Sequence, residues 1–197
     1  MAKILNPRNF KDPVAQKTEW KPILKESSGN FRIKRLSQDG ETKLGFKAPA
    51  GSMAVYRNCA LAGLAGLALM MFTQTGTLVL RVLAVIAVLI GLWGIYLQSE
   101  PISFDKTAGV FRRGRKQTVK LDEIYALQLL SRVVDVKVPP KKGQKGQLNR
   151  INTYELNVVL NDGSRVNVIA HAGLKEIVED GNAISNFINK PLWDAIL

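Results

Sequence analysis

The sequence predicts a membrane α-hairpin plus an α+β domain: two transmembrane helices followed by an antiparallel β-sheet capped by a carboxy-terminal helix. Three observations predict it. No charged residue lies between Arg57 and Arg81, nor between Arg81 and Glu100. Past Pro101, apolar and polar residues alternate in short runs divided by Gly-containing turns. The closing segment carries an apolar stripe at helical spacing.

The two uncharged stretches give spans over Val55–Phe72 and Leu78–Leu97. Each is long enough for a helix to cross a hydrocarbon core of about 30 Å. Their apolar residues cover every face with no polar stripe, which argues against a buried soluble hairpin. A mean hydropathy of +0.01 conceals this division of the chain. The first fifty or so residues are polar, so no cleaved leader is expected and both spans are retained anchors.

Orientation follows from charge. The link Thr73–Thr77 has no lysine or arginine, whereas residues 1–53 hold eleven and residues 99–197 hold fifteen. The positive-inside bias places both termini in the cytoplasm of a multi-pass protein of bacterial inner (cytoplasmic) membrane type. The expected domains are a cytoplasmic region over 1–53, the hairpin over 54–98, and a cytoplasmic domain over 99–197.

Within the spans, Tyr56, Arg57, Trp93 and Tyr96 fall at the expected cytoplasmic interface. Arg81 lies about one turn into the second span, within snorkelling reach of the outer headgroups; a buried arginine facing a partner helix is the alternative. Cys59/Gly63, Ala62/Gly66 and Ala87/Gly91 are small residues four apart. Such spacing lets helix backbones approach closely, either between the two spans or toward another protein's helices. Cys59 is the single cysteine, which excludes an internal disulfide framework and a cysteine-rich zinc site.

In the carboxy-terminal domain, strands are expected over 102–105, 110–113, 117–121, 125–130 and 132–138. The strongest hairpin signal is Asp162-Gly163 between the alternating runs Thr153–Leu160 and Ser164–Ile169. A helix is expected from about Gly173 to Asn189, burying Leu174, Ile177, Val178, Ile184, Phe187 and Ile188. Lys175, Glu176, Glu179 and Asp180 would face away, and Pro191 would end it. Residues 139–150, rich in Pro, Gly, Lys and Gln, read as a mobile basic loop. A further β-hairpin is expected over 31–46, docked on the sheet or on a partner. A curled antiparallel sheet capped by one helix is the architecture of a pleckstrin-homology-like (PH-like) domain.

Little in the sequence points to catalysis. His171 is the only histidine, and its place between the last strand and the helix suits a structural role. Asp122 and Glu123, read as strand neighbours, would point to opposite faces. No glycine-rich phosphate loop is present. The expectation is a non-enzyme with no catalytic residue, no metal site and no cofactor. The net charge of +12 is more telling. Arg112, Arg113, Arg115 and Lys116, with Lys141, Lys142 and Lys145, concentrate positive charge close to the bilayer. Each cation there contributes on the order of 1 kcal/mol of attraction to anionic lipid. No aromatic residues interleave with them, so nucleic acid is not an expected partner.

Two close-spaced spans followed by Ile102-Ser-Phe-Asp-Lys-Thr-Ala-Gly-Val-Phe-Arg112 resemble small bacterial membrane proteins with a cytoplasmic PH-like domain. Within that group the organisation is similar to the photosystem I assembly factor of cyanobacteria and chloroplasts. Phe104–Arg113, Val119–Leu127, Tyr154–Val168 and the final helix with Asn189-Lys-Pro-Leu-Trp193 carry the likeness over half the chain. It implies an accessory or assembly subunit of an inner-membrane complex, whose partners are other integral membrane subunits. The competing expectation is a lipid- or ligand-sensing module that binds anionic headgroups.

Overall fold

A computed structural model describes residues 11–24, 34–74, 76–98, 101–138 and 147–196. In chain order it contains α1 (Pro13–Lys17), β1 (Arg35–Asp39), β2 (Lys43–Lys47), α2 (Ala50–Phe72) and α3 (Leu78–Gln98). There follow β3 (Ile102–Asp105), β4 (Val110–Arg113), β5 (Gln117–Lys120), β6 (Ile124–Val138), β7 (Gln147–Leu160), β8 (Arg165–His171), α4 (Leu174–Ile188) and β9 (Leu192–Asp194). The chain divides into two compact units. One centres on the two long helices; the other holds the sheets and the amino-terminal segment.

In the helical unit, α2 and α3 are long and apolar enough to cross a membrane. With 23 and 21 residues they extend about 35 and about 32 Å at 1.5 Å per residue. Helix α2 starts at Ala50, ahead of the expected Val55. The added stretch Ala50-Gly-Ser-Met-Ala54 is anchored by Ser52, whose Oγ donates to Pro49 O (2.8 Å) and pairs with Gln98 Oε1 (3.1 Å). Leu61, Leu64, Leu69, Leu83, Ile86 and Leu92 are all exposed. Such an apolar exterior is the pattern expected of helices solvated by lipid chains.

The second unit is built on two sheets, ordered β1-β2-β3-β4-β5 and β8-β7-β6-β9. The amino-terminal hairpin joins the first through β2, which pairs antiparallel with β3 (Leu44 opposite Phe104). Its strands lie later than expected over 31–46, because Gly40, at φ +68°, makes the turn; residues 31–33 lie outside the described residues. Phe104 and Phe111 are buried and stack at 4.5 Å across β3 and β4.

In the second sheet, β6 and β7 pair antiparallel from Ile124/Leu160 to Val138/Gln147. The two expected runs 125–130 and 132–138 are therefore one strand. Residues 147–150, assigned to the basic loop, belong to β7, since the backbone ladder runs on to Val138/Gln147; 139–146 lie outside the described residues. Helix α4 packs on this sheet, where Gly181 sits beside Leu156 and Leu192. Alternation places Leu127, Leu129 and Val158 on the same side as Leu156, with Ile177 and Ile184 of α4 completing the core. Asn189, at φ +53°, caps the helix in the left-handed region, and Pro191 follows.

Three details differ from expectation. Asp180 is buried and Leu174 exposed, because the chain returns as β9 and shifts the covered stripe toward Asp180 and Gly181. Strand β9 itself, parallel to β6, was not expected; three residues are too few to show a period. Asp122 and Glu123 lie in a single 3-10 turn, not in a strand.

Candidate functional site

The second sheet has another face, opposite α4, and it carries a row of polar residues among apolar ones. Gln128 on β6 lies opposite Asn157 on β7, Arg132 opposite Thr153, and Leu130 opposite Glu155; Arg165 and Asn167 of β8 continue the row. Polar residues alternating with apolar ones suit a sheet with one face in the core and one in water. Here that face is covered. Gln128, Thr153, Glu155 and Asn157 are each at most 1% exposed.

The cover is the amino-terminal segment, residues 12–24. Its five-residue helix α1 is started by Asp12, whose Oδ1 accepts the N–H groups of Val14 (2.8 Å) and Ala15 (3.1 Å), with Pro13 at the first helical position. Oδ2 accepts the Tyr125 hydroxyl (2.9 Å). Burial pushes the Asp12 carboxyl up, but these three hydrogen bonds outweigh it and hold the group below the usual aspartate range. The same bond to Asp12 raises the Tyr125 phenol above its ordinary value. Ala15 packs with Ala126, Val159 and Trp193, and Trp20 stacks on Trp193 at 5.7 Å.

From residue 19 onward the sheet grips main chain. Gln128 Nε2 donates to Glu19 O (3.2 Å), Arg165 Nη1 to Lys21 O (2.7 Å), and Arg132 Nη1 to Leu24 O (2.6 Å). In return the Glu155 carboxylate accepts the N–H groups of Ile23 (2.8 Å) and Leu24 (3.0 Å). Asn157 Nδ2 gives Glu155 a third donor at 2.8 Å, and Asn167 Nδ2 donates in turn to Asn157 Oδ1 at 3.1 Å. A buried carboxylate needs such compensation, and charge-assisted bonds supply it. Arg165 adds positive charge nearby. Burial lowers its pKa, while the Glu19 and Glu155 carboxylates pull it back up.

The residues singled out from the sequence are distributed differently. Gly63 lies against Ala84 and Val88, and Gly91 against Ala60 and the Tyr56 carbonyl. The Cys59 thiol points to Ala87 O at 3.5 Å. These residues form one seam within the hairpin, joined by Ala60 and by Gly94 under the Tyr56 ring, which spacing had not marked. Ala62 is exposed, and Gly66 meets only Ala84 Cβ, at 4.0 Å from an added Cβ, so that pair is marginal to the seam. Four-residue spacing recurs on several faces of Cys59–Gly66 and cannot choose among them.

Arg57 is exposed, and so are Trp93 and Tyr96, whose rings stack at 5.9 Å. Arg81, also exposed, borders a groove with Leu67, Met70 and Gln74. Arg112, Arg115 and Lys116 are exposed around the β4–β5 turn. Arg113 does not join them: its Nε donates to Asn167 O (3.1 Å) and ties β4 to β8 across the two sheets. The imidazole of His171 is buried, with Nδ1 accepting the Gly173 N–H (3.1 Å) ahead of α4. Lys141, Lys142 and Lys145 lie outside the described residues.

Sequence reasoning missed the covering segment. Asp12-Pro13 is a helix-start signal that could have located α1, and Trp20 a candidate anchor; nothing local announces the main-chain grip. Compared with protein-family models, with characterised proteins and with solved structures, the chain matches none.

Proposed function

We propose that this protein is a non-enzymatic accessory or assembly subunit of a membrane complex, anchored by α2 and α3, with a PH-like binding domain at the cytoplasmic surface. The observation that carries the reading is the polar face of β6–β8, which holds an extended segment by side-chain bonds to its main chain. Gln128, Arg132, Glu155 and Arg165 read backbone groups there. That is hardware for binding protein, since backbone groups offer the same donors and acceptors in any extended chain. Partner helices would meet the exposed apolar faces of α2 and α3, the small-residue seam being used within the hairpin. The charge bias of the flanks and the resemblance to photosystem I assembly factors support a cytoplasmic-membrane setting and an assembly role. Extraction in mild detergent followed by native electrophoresis tests the proposal. Comigration with a larger complex is expected; migration only as a free small protein would overturn it.

A second reading, anionic-lipid sensing, is favoured by the exposed Arg112, Arg115 and Lys116 on one hairpin. Reversing these three charges in the full chain should lower the anionic-lipid enrichment around the extracted protein. Unchanged enrichment would count against this reading.

A further inference from the structure

We infer that the polar face of β6–β8 is an exchangeable site for an extended peptide with an aromatic anchor, and that residues 19–24 occupy it as an intramolecular ligand. The inference rests on the binding-module reading above and adds the chemistry of the ligand.

Two observations lead to it. First, the bonds are asymmetric. The sheet contributes side chains and the segment contributes mostly backbone: the carbonyls of Glu19, Lys21 and Leu24 and the N–H groups of Ile23 and Leu24. Lys21 and Ile23 turn their side chains outward. Two side chains read out an identity: Trp20 stacks on Trp193, and the Glu19 carboxylate pairs with Arg165 Nη2 at 3.4 Å. Any chain with an aromatic residue followed three and four positions later by accessible N–H groups presents the same pattern. Secondly, the covered face carries a row of polar side chains among the apolar Ala126, Leu130 and Val159. Gln128, Thr153, Glu155 and Asn157 would be hydrated if the segment left, whereas a permanently covered face is ordinarily apolar. Opening the site therefore exposes polar groups that water satisfies, beside the apolar Leu130 opposite Glu155.

Tethering keeps the resident segment bound, because a short connection acts as a high local concentration, on the order of millimolar. Weakening the resident segment should thus reveal the site to a competitor. The test uses the full chain in nanodiscs and a fluorescent synthetic peptide of residues 11–24. The Trp20→Ala chain should bind the peptide saturably and at least about tenfold more tightly than the unaltered chain. Adding Glu155→Gln to that chain, or Trp20→Ala to the peptide, should abolish binding. A Trp20→Ala chain that keeps its far-ultraviolet spectrum yet binds no peptide would overturn the inference.

Hydrogen exchange of the unaltered chain decides independently should that variant misfold. The Ile23 and Leu24 amides should exchange at least about a hundredfold faster than the β6–β7 ladder amides. Exchange at one common rate would show a permanent part of the core and overturn exchangeability. Neither result bears on comigration with a complex, so this inference and the proposed function can fail separately.

Discussion

Glu155, in the middle of the second sheet, holds Ile23 by its backbone: the carboxylate accepts that N–H at 2.8 Å across 132 residues of sequence. Glu155 is 1% exposed, so its carboxylate oxygens are satisfied by the donors around it and not by water. Glu155→Gln leaves an amide that accepts through one oxygen only and strands a backbone donor. A loss of about 1–3 kcal/mol is expected. Chemical denaturation in detergent reads the loss, and trypsin should cut faster after Lys17 as the segment loosens.

The link between Asp12 and Tyr125 makes the segment's attachment depend on pH. The Asp12 carboxyl lies below the usual aspartate value in the fold. Its contribution is full above the unfolded value and is lost as pH falls through the lower folded one, below about pH 4. Tyr125 is raised in the fold, so its share is present below the ordinary phenol value and disappears as pH rises beyond about 10. Fluorescence from Trp20 on Trp193 should change at both extremes. With Asp12→Asn the acid transition attributable to this carboxyl should vanish.

Much of this architecture is legible in the sequence, and the gaps have physical causes. Two helices apolar on all sides need no tertiary information, so α2 and α3 emerge from charge spacing alone. The Asp162-Gly163 turn is equally local, with Gly163 at φ +87°. The alternation of the strands that carry Gln128, Arg132, Glu155 and Asn157 is local too, but it does not say that these residues form one polar row. What covers it could not be read. Residues 19–24 have no period, and the sheet groups that bond their main chain lie more than a hundred positions away. Arg113 was grouped with Arg112, Arg115 and Lys116 because charge runs do not reveal which member turns inward toward Asn167.

That inward turn is testable. Arg113→Ala removes a charged donor to the Asn167 carbonyl and should cost about 1–2 kcal/mol of unfolding free energy. Arg112→Ala, on an exposed position of the same strand, should stay within about 0.5 kcal/mol. Equal effects from the two substitutions, measured by denaturation in one detergent, would contradict the assigned contact.

The seam between α2 and α3 separates residues that spacing alone treats alike. A Cβ added to Gly91 would lie 2.6 Å from Ala60 Cβ and from the Tyr56 carbonyl, and one added to Gly63 would lie 2.7 Å from Ala84 O. Backbone on the far side cannot yield to a methyl group, so the helices must separate and give up dispersion contacts along the whole crossing. Gly91→Ala and Gly63→Ala should each cost about 1–3 kcal/mol, the usual range for overpacking. Gly66→Ala meets nothing closer than 4.0 Å, and Ala62→Leu enlarges an exposed position, so both should be tolerated. Thermal unfolding in detergent ranks the four. Cys59 supplies a second measure, because its thiol is half-buried beside Ala87 O. A small maleimide should modify it faster in the Gly63→Ala and Gly91→Ala proteins and at the unaltered rate in the Ala62→Leu protein. Faster modification in Ala62→Leu instead would place the seam on the other face of α2.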